Sequence, residues 1–288
     1  MREPNPITAA AKASGEPVFR QIGVGPWSQE HPDAPRPDDP ASPDFVSGRY
    51  DAALLDDGDR RNVLDRYRYW TVEAIRGDLD ARGRHGFEVA VENWTHDFNI
   101  GSMVRTANAF AARTVHIVGP HKWNRKGSLM TELYQHVEHH PSIEELVSSW
   151  RAQVQREFDA ARRSADTADA DHDNTDHDNT DHDNTDHDKT ANDNVDHANV
   201  TAQPCEGRVI ALDIIPGAVP IETYQFPERC LMLFGAEGPG LSSKALELAD
   251  DVVYISQFGS VRSINAGAAA AVAMHCWIVQ HGRGVQQS

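Results

Sequence analysis

The stretch from Arg229 to Ala273 limits the possible folds of this chain more than any other. It contains two apolar runs, Cys230 to Phe234 and Val252 to Ser256, and each is followed by an irregular loop and a helix-forming segment. The first loop, residues 235–240, holds three glycines, each of which would cost about 1 kcal/mol inside a helix. Strands that lead through such loops into helices predict an open α/β sheet, which binds ligands at the carboxyl ends of its strands.

A second pattern precedes this stretch. A strand, a helix and another strand are predicted at residues 87–92, 100–111 and 114–118, a spacing that indicates a βαβ unit with parallel strands. Its first loop and helix carry the polar residues Asn93, His96, Asn99 and Arg105. A strand at 208–214, a helix at 141–163 and a helix after Asn265, which is a good N-cap, complete the predicted core.

These residues resemble the three motifs of the SpoU/TrmH family of SPOUT-class RNA methyltransferases. The first motif is Glu92-Asn93 followed by residues 99–107, the second is residues 234–242, and the third is residues 255–272, in which Ser263-Ile264-Asn265 stands where the family has Ser-Leu-Asn. The similarity covers roughly residues 87–281, apart from an insertion. Ser256-Gln257 departs from the family's Pro-Met, and Ala111 stands where the family often has Gly.

The resemblance implies a fold and an activity. The fold is α/β, with a mostly parallel sheet flanked by helices and a C-terminal trefoil knot. The activity is methyl transfer from S-adenosyl-L-methionine (SAM) to a ribose 2′-hydroxyl of structured RNA, with tRNA slightly favoured over rRNA, by a cytoplasmic homodimer that needs neither metal nor membrane. Two alternatives stay open: a base-methylating SPOUT enzyme, and a non-catalytic RNA- or metal-binding protein.

The resemblance also assigns site residues. Arg105 would either lose a proton with the help of an RNA phosphate or stay charged and hold that phosphate. For Asn265, a capping role is as good an explanation as a catalytic one. The implied catalytic residues are Arg105, Asn99, Glu237, Ser263 and Asn265. The implied cofactor-binding residues are Phe234, Gly235, Ala236, Gly240, Ile255, Gln257, Ser263 and Ile264.

Residues 121–140 mix basic, aromatic and histidine side chains. Basic residues beside an aromatic ring suit an RNA backbone and an unstacked base, so RNA contact is predicted for Lys122, Trp123, Arg125 and Lys126; alternatively, Trp123 packs against the core. A metal site at His136, His139 and His140 is disfavoured, because no cysteine accompanies them and the segment alternates like a strand.

Composition suggests how the chain is divided. Residues 1–58 are rich in Pro and Asp and predict a largely irregular extension, residues 59–84 predict a helix, and residues 85–163 and 201–283 form the predicted methyltransferase domain. Residues 164–200 repeat Asp-His-Asp-Asn-Thr and predict a disordered insert. This insert holds 12 Asp and one Lys, so it accounts for most of the net charge of -17 and leaves the remaining domain able to meet RNA.

Overall fold

The computed structural model describes residues 5–15, 22–94, 99–172, 207–236 and 238–282. The chain divides into two compact units between Arg82 and Gly83. Among the described residues, no helix is both long enough and apolar enough to cross a membrane. Glu237, His96 and residues 173–206, which include the greater part of the insert, lie outside this description.

The first unit is built from short helices. They are α1 (Pro6–Ala13), α2 (Trp27–Glu30), α3 (Ala52–Asp57), a 3-10 turn (Asp65–Tyr67) and α4 (Val72–Ala81). The prediction of one helix over residues 59–84 is therefore wrong in extent. The carboxylate of Asp59, which is fully buried, accepts hydrogen bonds from the Arg61 side chain and from the Tyr69 backbone N–H. These contacts fold residues 59–70 into a loop, and only the segment after the N-cap Thr71 is an α-helix.

The second unit contains a seven-stranded sheet. Its strands are β1 (Phe87–Glu92), β2 (Val115–Val118), β3 (Val137–His140), β4 (Arg208–Leu212), β5 (Val219–Pro220), β6 (Cys230–Phe234) and β7 (Asp251–Tyr254). They lie in the order β3-β2-β1-β6-β4-β7-β5, and every pairing is parallel. The predicted parallel sheet is confirmed, and β1 and β6 match their predicted ranges residue for residue. The trefoil knot remains a prediction.

Helices cover both faces of this sheet: α5 (Ile100–Ala109), α6 (Ile143–His172), α7 (Ser243–Leu248) and α8 (Ala266–His281). On one face, Met103 of α5 and Trp277 of α8 pack with Phe87 in one apolar cluster. On the other face, Trp150 of α6 packs with Leu231 in a second cluster, to which α7 also contributes. Sheets with both faces covered have apolar strands throughout, as β6 does.

Helix α6 is longer than predicted. It continues past Arg163 to His172, so the first residues of the predicted disordered insert are helical. The alanines at 165, 168 and 170 have the highest helix propensity and favour this continuation.

Candidate active site

A cavity of about 630 Å³ opens at the carboxyl ends of β4, β6 and β7. In a parallel sheet these ends meet at one edge, where α/β proteins bind their ligands. The residues that the sequence predicted to bind a cofactor all line this cavity: Phe234, Gly235, Ala236, Gly240, Ile255, Gln257, Ser263 and Ile264. Their convergence supports one ligand site made by the second and third motifs together.

The loop after β6 folds back on itself. The backbone N–H of Gly240 donates to the carbonyl of Ala236 at 3.0 Å. A side chain at Gly235 would meet the backbone of Gly240 at 2.0 Å, and Gly240 itself has a φ of 77°. Both positions therefore require glycine. The next residues lead into α7, whose N-cap Ser242 donates its backbone N–H to the buried Glu92 of the first motif at 2.7 Å.

The loop after β7 ends at Asn265, which has two roles in the structure. Its Oδ1 accepts from the backbone N–H of Ala268 at 3.1 Å, so Asn265 caps α8. Its Nδ2 donates to Oδ1 of Asn99 at 2.9 Å. The first motif therefore contacts the third directly beside the cavity, although the two asparagines are far apart in sequence.

Of the other predicted catalytic residues, only some lie at the cavity. Ser263 lines the cavity. Arg105 is exposed on α5, the helix that begins directly after Asn99, and lies outside the set of described residues that line the cavity. The position of Glu237 is not among the described residues. The structure thus brings Asn99, Ser263 and Asn265 together and leaves Arg105 facing solvent.

The two residues that depart from the family pattern make their own contacts. Ser256 donates its hydroxyl to Glu222 at 2.9 Å, and its N–H reaches the same carboxylate. Hydrogen bonds, from its own backbone N–H above all, hold the pKa of Glu222 below its usual range. Oε1 of Gln257 is buried and has no hydrogen-bond partner among the described residues. Gln257 lines the cavity, but this oxygen is shielded from it in the observed side-chain conformation, so a rotation of the side chain would be needed to offer the oxygen to a ligand.

Two charged residues at the cavity were not predicted. Asp213 follows β4, and its carboxylate accepts from the N–H groups of Ile214 at 2.7 Å and Leu241 at 3.3 Å. Arg262 lies exposed at the cavity edge. The signal for Asp213 is its place at the carboxyl end of an apolar strand. The predicted strand ran to Ile214 and therefore included Asp213, whereas β4 ends at Leu212.

The predicted RNA-binding segment is partly corrected. Trp123 is only 9% exposed and belongs to the core beside α5, so it cannot stack on a base, and the alternative of core packing is the one observed. Lys122, Arg125 and Lys126 are exposed. Their segment lies against the start of α5, where a side chain at Gly101 would meet Asn124 and Gly127 at 2.9 Å. The basic residues therefore lie along the helix that carries Arg105.

Comparisons with known proteins give a family match for one stretch of the chain. Residues 158–275 match the model of the SpoU rRNA Methylase family, which confirms the resemblance for the part that holds the second and third motifs. A tRNA (guanosine(18)-2′-O)-methyltransferase of Saccharomyces cerevisiae is 41% identical over 58 residues, which are 20% of this chain and 4% of that protein. This match therefore spans only a small part of the yeast protein.

Solved structures of similar fold include the SpoU methyltransferase AviRb from Streptomyces viridochromogenes in complex with AdoMet, at 21% identity and a TM-score of 0.44. That match covers 68% of this chain and 58% of AviRb. The TrmH/SpoU tRNA modifying enzyme of A. aeolicus is 14% identical with a TM-score of 0.46, over 73% of this chain and 81% of that one.

Proposed function

We propose that this chain, whose residues 158–275 carry a methylase segment of the SpoU family, transfers a methyl group from SAM to a ribose 2′-hydroxyl of RNA. The observation that carries the proposal is the hydrogen bond between Asn99 and Asn265 at the edge of the cavity. It joins the polar residues of the first motif to a ligand site made by the second and third. This is the arrangement needed when a bound cofactor and a second substrate must meet.

The cavity fits SAM by size and by chemistry. Its volume of about 630 Å³ lies in the usual range for small-molecule sites. Phe234, Ile255 and Ile264 provide apolar wall for the adenine. When the Gln257 side chain rotates toward the cavity, its Oε1 accepts a hydrogen bond from an amino group of the ligand. Asp213 accepts hydrogen bonds from ribose hydroxyls. When bound, SAM supplies a methyl group on a positively charged sulfur, which an oxygen nucleophile can take.

The side chains of the first motif act on the second substrate. A ribose hydroxyl gains negative charge as it attacks and loses its proton, and a positioned cation stabilises that charge. Arg105, which is exposed, pairs with an RNA phosphate and places its guanidinium beside the reacting oxygen. Asn99, held by Asn265, orients the ribose.

The RNA backbone lies along α5 in this proposal. Lys122, Arg125 and Lys126 are exposed beside that helix and contact phosphates without reading sequence. We propose tRNA as the substrate, and the support is the short match to the yeast enzyme that methylates tRNA.

A homodimer is part of the same proposal. Phe258 and Val261, in the loop that ends at Asn265, are 96% and 61% exposed. Two large apolar side chains at the rim of a ligand site favour burial against a second copy. Sedimentation equilibrium is expected to give a dimer that Phe258→Asp dissociates; a monomeric wild-type protein would contradict this part.

The experiment that tests the function uses labelled SAM and unmodified tRNA or rRNA. The full chain is expected to transfer label to tRNA, and Arg105→Ala is expected to lower the rate by about 100-fold or more while SAM still binds, since a charge-stabilising group is lost. Arg156→Ala, an exposed arginine of α6, is the matched control and should retain the wild-type rate. Equal rates in both variants would refute the role of Arg105.

A further inference from the structure

Two histidines and a glutamate meet on the face of the sheet that packs against α6. In the parallel register of β2 and β3, His116 lies opposite Glu138, and His140 follows Glu138 by two residues on the same face. Nδ1 of His116 lies 3.0 Å from Nε2 of His140. An oxygen of Glu138 lies 3.7 Å from the first nitrogen and 3.8 Å from the second.

The outer nitrogen of each imidazole is held by a carboxylate. Nε2 of His116 lies 2.6 Å from Glu88, and Nδ1 of His140 lies 2.8 Å from Glu145. Glu88 also lies 2.6 Å from Arg229, so it is a carboxylate and can only accept. With protons on the two outer nitrogens, the inner nitrogens face each other with their lone pairs at 3.0 Å. A cation between them removes this repulsion.

We propose that His116, His140 and Glu138 bind a divalent transition-metal ion of the zinc class. A point about 2 Å from all three ligand atoms exists within their triangle, which is the bond length that zinc takes to imidazole nitrogen and carboxylate oxygen. Two imidazoles with one carboxylate favour zinc over magnesium or calcium, which prefer all-oxygen sites. Carboxylates on the outer nitrogens are the usual support of metal-binding histidines.

The site is accessible from one side only. The side chains of His116 and His140 are 5% and 11% exposed, whereas that of Glu138 is 59% exposed. The ion therefore enters past Glu138, and water completes its coordination there. His139, by contrast, is on the opposite face of β3 by strand alternation, and the site differs from the trio of neighbouring histidines weighed in the sequence.

The bound ion would fasten β2 to β3 where the basic segment begins. The N–H of Gly119 donates to the carbonyl of His140 at 2.9 Å, so the residues leading to Lys122 start from this point. The site is separate from the cavity, whose lining residues come from β4, β6 and β7 and the segments that follow them. Its role is therefore to hold the edge of the sheet, and methyl transfer does not pass through it.

The test titrates zinc into the full chain after treatment with a chelator, and follows heat of binding and thermal unfolding. Wild-type protein is expected to show one tight site and a rise in the midpoint of unfolding. Glu138→Gln and His140→Ala are expected to weaken that site by 10-fold or more. His139→Ala is the matched control and should behave like the wild type. The Asp-His repeat is intact in all four proteins, so any weak zinc binding to the repeat contributes equally to each titration and does not affect the comparison.

Glu138→Gln changes an exposed side chain and keeps the test valid even if His140→Ala unfolds. Identical titrations in all four proteins would place the metal on other groups and overturn the proposal. Absence of a tight site in the wild type would also overturn the proposal. A proton shared between His116 and His140 would then explain why their inner nitrogens lie close together. Neither result bears on methyl transfer.

Discussion

Gln257 is the residue whose chemistry depends most on a ligand. Its Oε1 is buried at the cavity and has no partner among the described residues. An unpaired buried acceptor costs about 1–3 kcal/mol, and a ligand donor recovers part of that cost once the side chain rotates toward the cavity. The residue therefore opposes folding in the free protein and favours binding.

Gln257→Leu tests this role because it removes the acceptor and keeps most of the volume. The thermal midpoint of the free protein is expected to stay equal or rise, and SAM affinity is expected to fall by roughly 10-fold, as the loss of one hydrogen bond predicts. Calorimetry measures both quantities. Gln155→Leu, at an exposed position of α6, is the control. Unchanged SAM affinity in Gln257→Leu would show that the ligand does not use this oxygen.

The residues that line the cavity could be predicted from the sequence, whereas the orientation of Trp123 could not. All eight residues that the resemblance assigned to cofactor binding line the cavity, because the motif loops follow strand ends that meet at one edge of a parallel sheet. Trp123 was read as an RNA contact, since an aromatic beside basic residues looks the same whether its ring points outward or into the core. Only the packing of α5 distinguishes the two.

At the scale of elements, the loop between α3 and α4 depends on one buried charge. Asp59 is fully buried and pairs with Arg61 at 2.7 Å. Burial alone would raise the pKa of Asp59, but hydrogen bonds from Arg61 and Tyr69 outweigh it and lower that pKa below the ordinary value. The ionised form is therefore favoured in the folded state.

Asp59→Asn is expected to destabilise the first unit by about 3–5 kcal/mol, because it leaves Arg61 without its buried partner. Hydrogen exchange of the amides in residues 59–70 measures the effect, and Asp57→Asn, at an exposed position, is the control. Exchange rates equal to the control would show that the pair does not hold the loop.

The same residue predicts a pH dependence. A carboxyl group whose pKa is lower in the folded state contributes its full stabilisation when the pH is above the pKa that the group has in the unfolded chain, about 3.9. That contribution is lost as the pH falls through the lower folded pKa. Protection of residues 59–70 is thus expected to decrease below about pH 4 in the wild type and to depend much less on pH in Asp59→Asn.

Elements with a regular pattern were predicted well, and elements set by distant contacts were not. Strands β1 and β6 are buried at every position, so their apolar runs define them. The predicted helix over residues 59–84 had helical spacing, but the hydrogen bonds of Asp59 and the positive φ of Tyr69, 64°, determine the backbone there. Such tertiary contacts leave no periodic signal in the sequence.

For the whole molecule, motif order was more informative than charge. A net charge of -17 argues against an RNA partner when taken over the full chain, yet most of it lies in the repeat insert. The family match over residues 158–275 agrees with the motifs and does not depend on overall charge. A knot cannot be deduced from local patterns, since it is a property of how the whole chain is threaded.

The proposed acceptor of the methyl group is a ribose hydroxyl of RNA. The direct measurement is alkaline digestion of RNA labelled by this protein from SAM, because a 2′-O-methyl group blocks cleavage of the neighbouring phosphodiester. Label in alkali-resistant dinucleotides is the predicted result. Label in ordinary mononucleotides would contradict the claim and indicate a base methylator, and no label on tRNA or rRNA despite SAM binding would contradict the substrate.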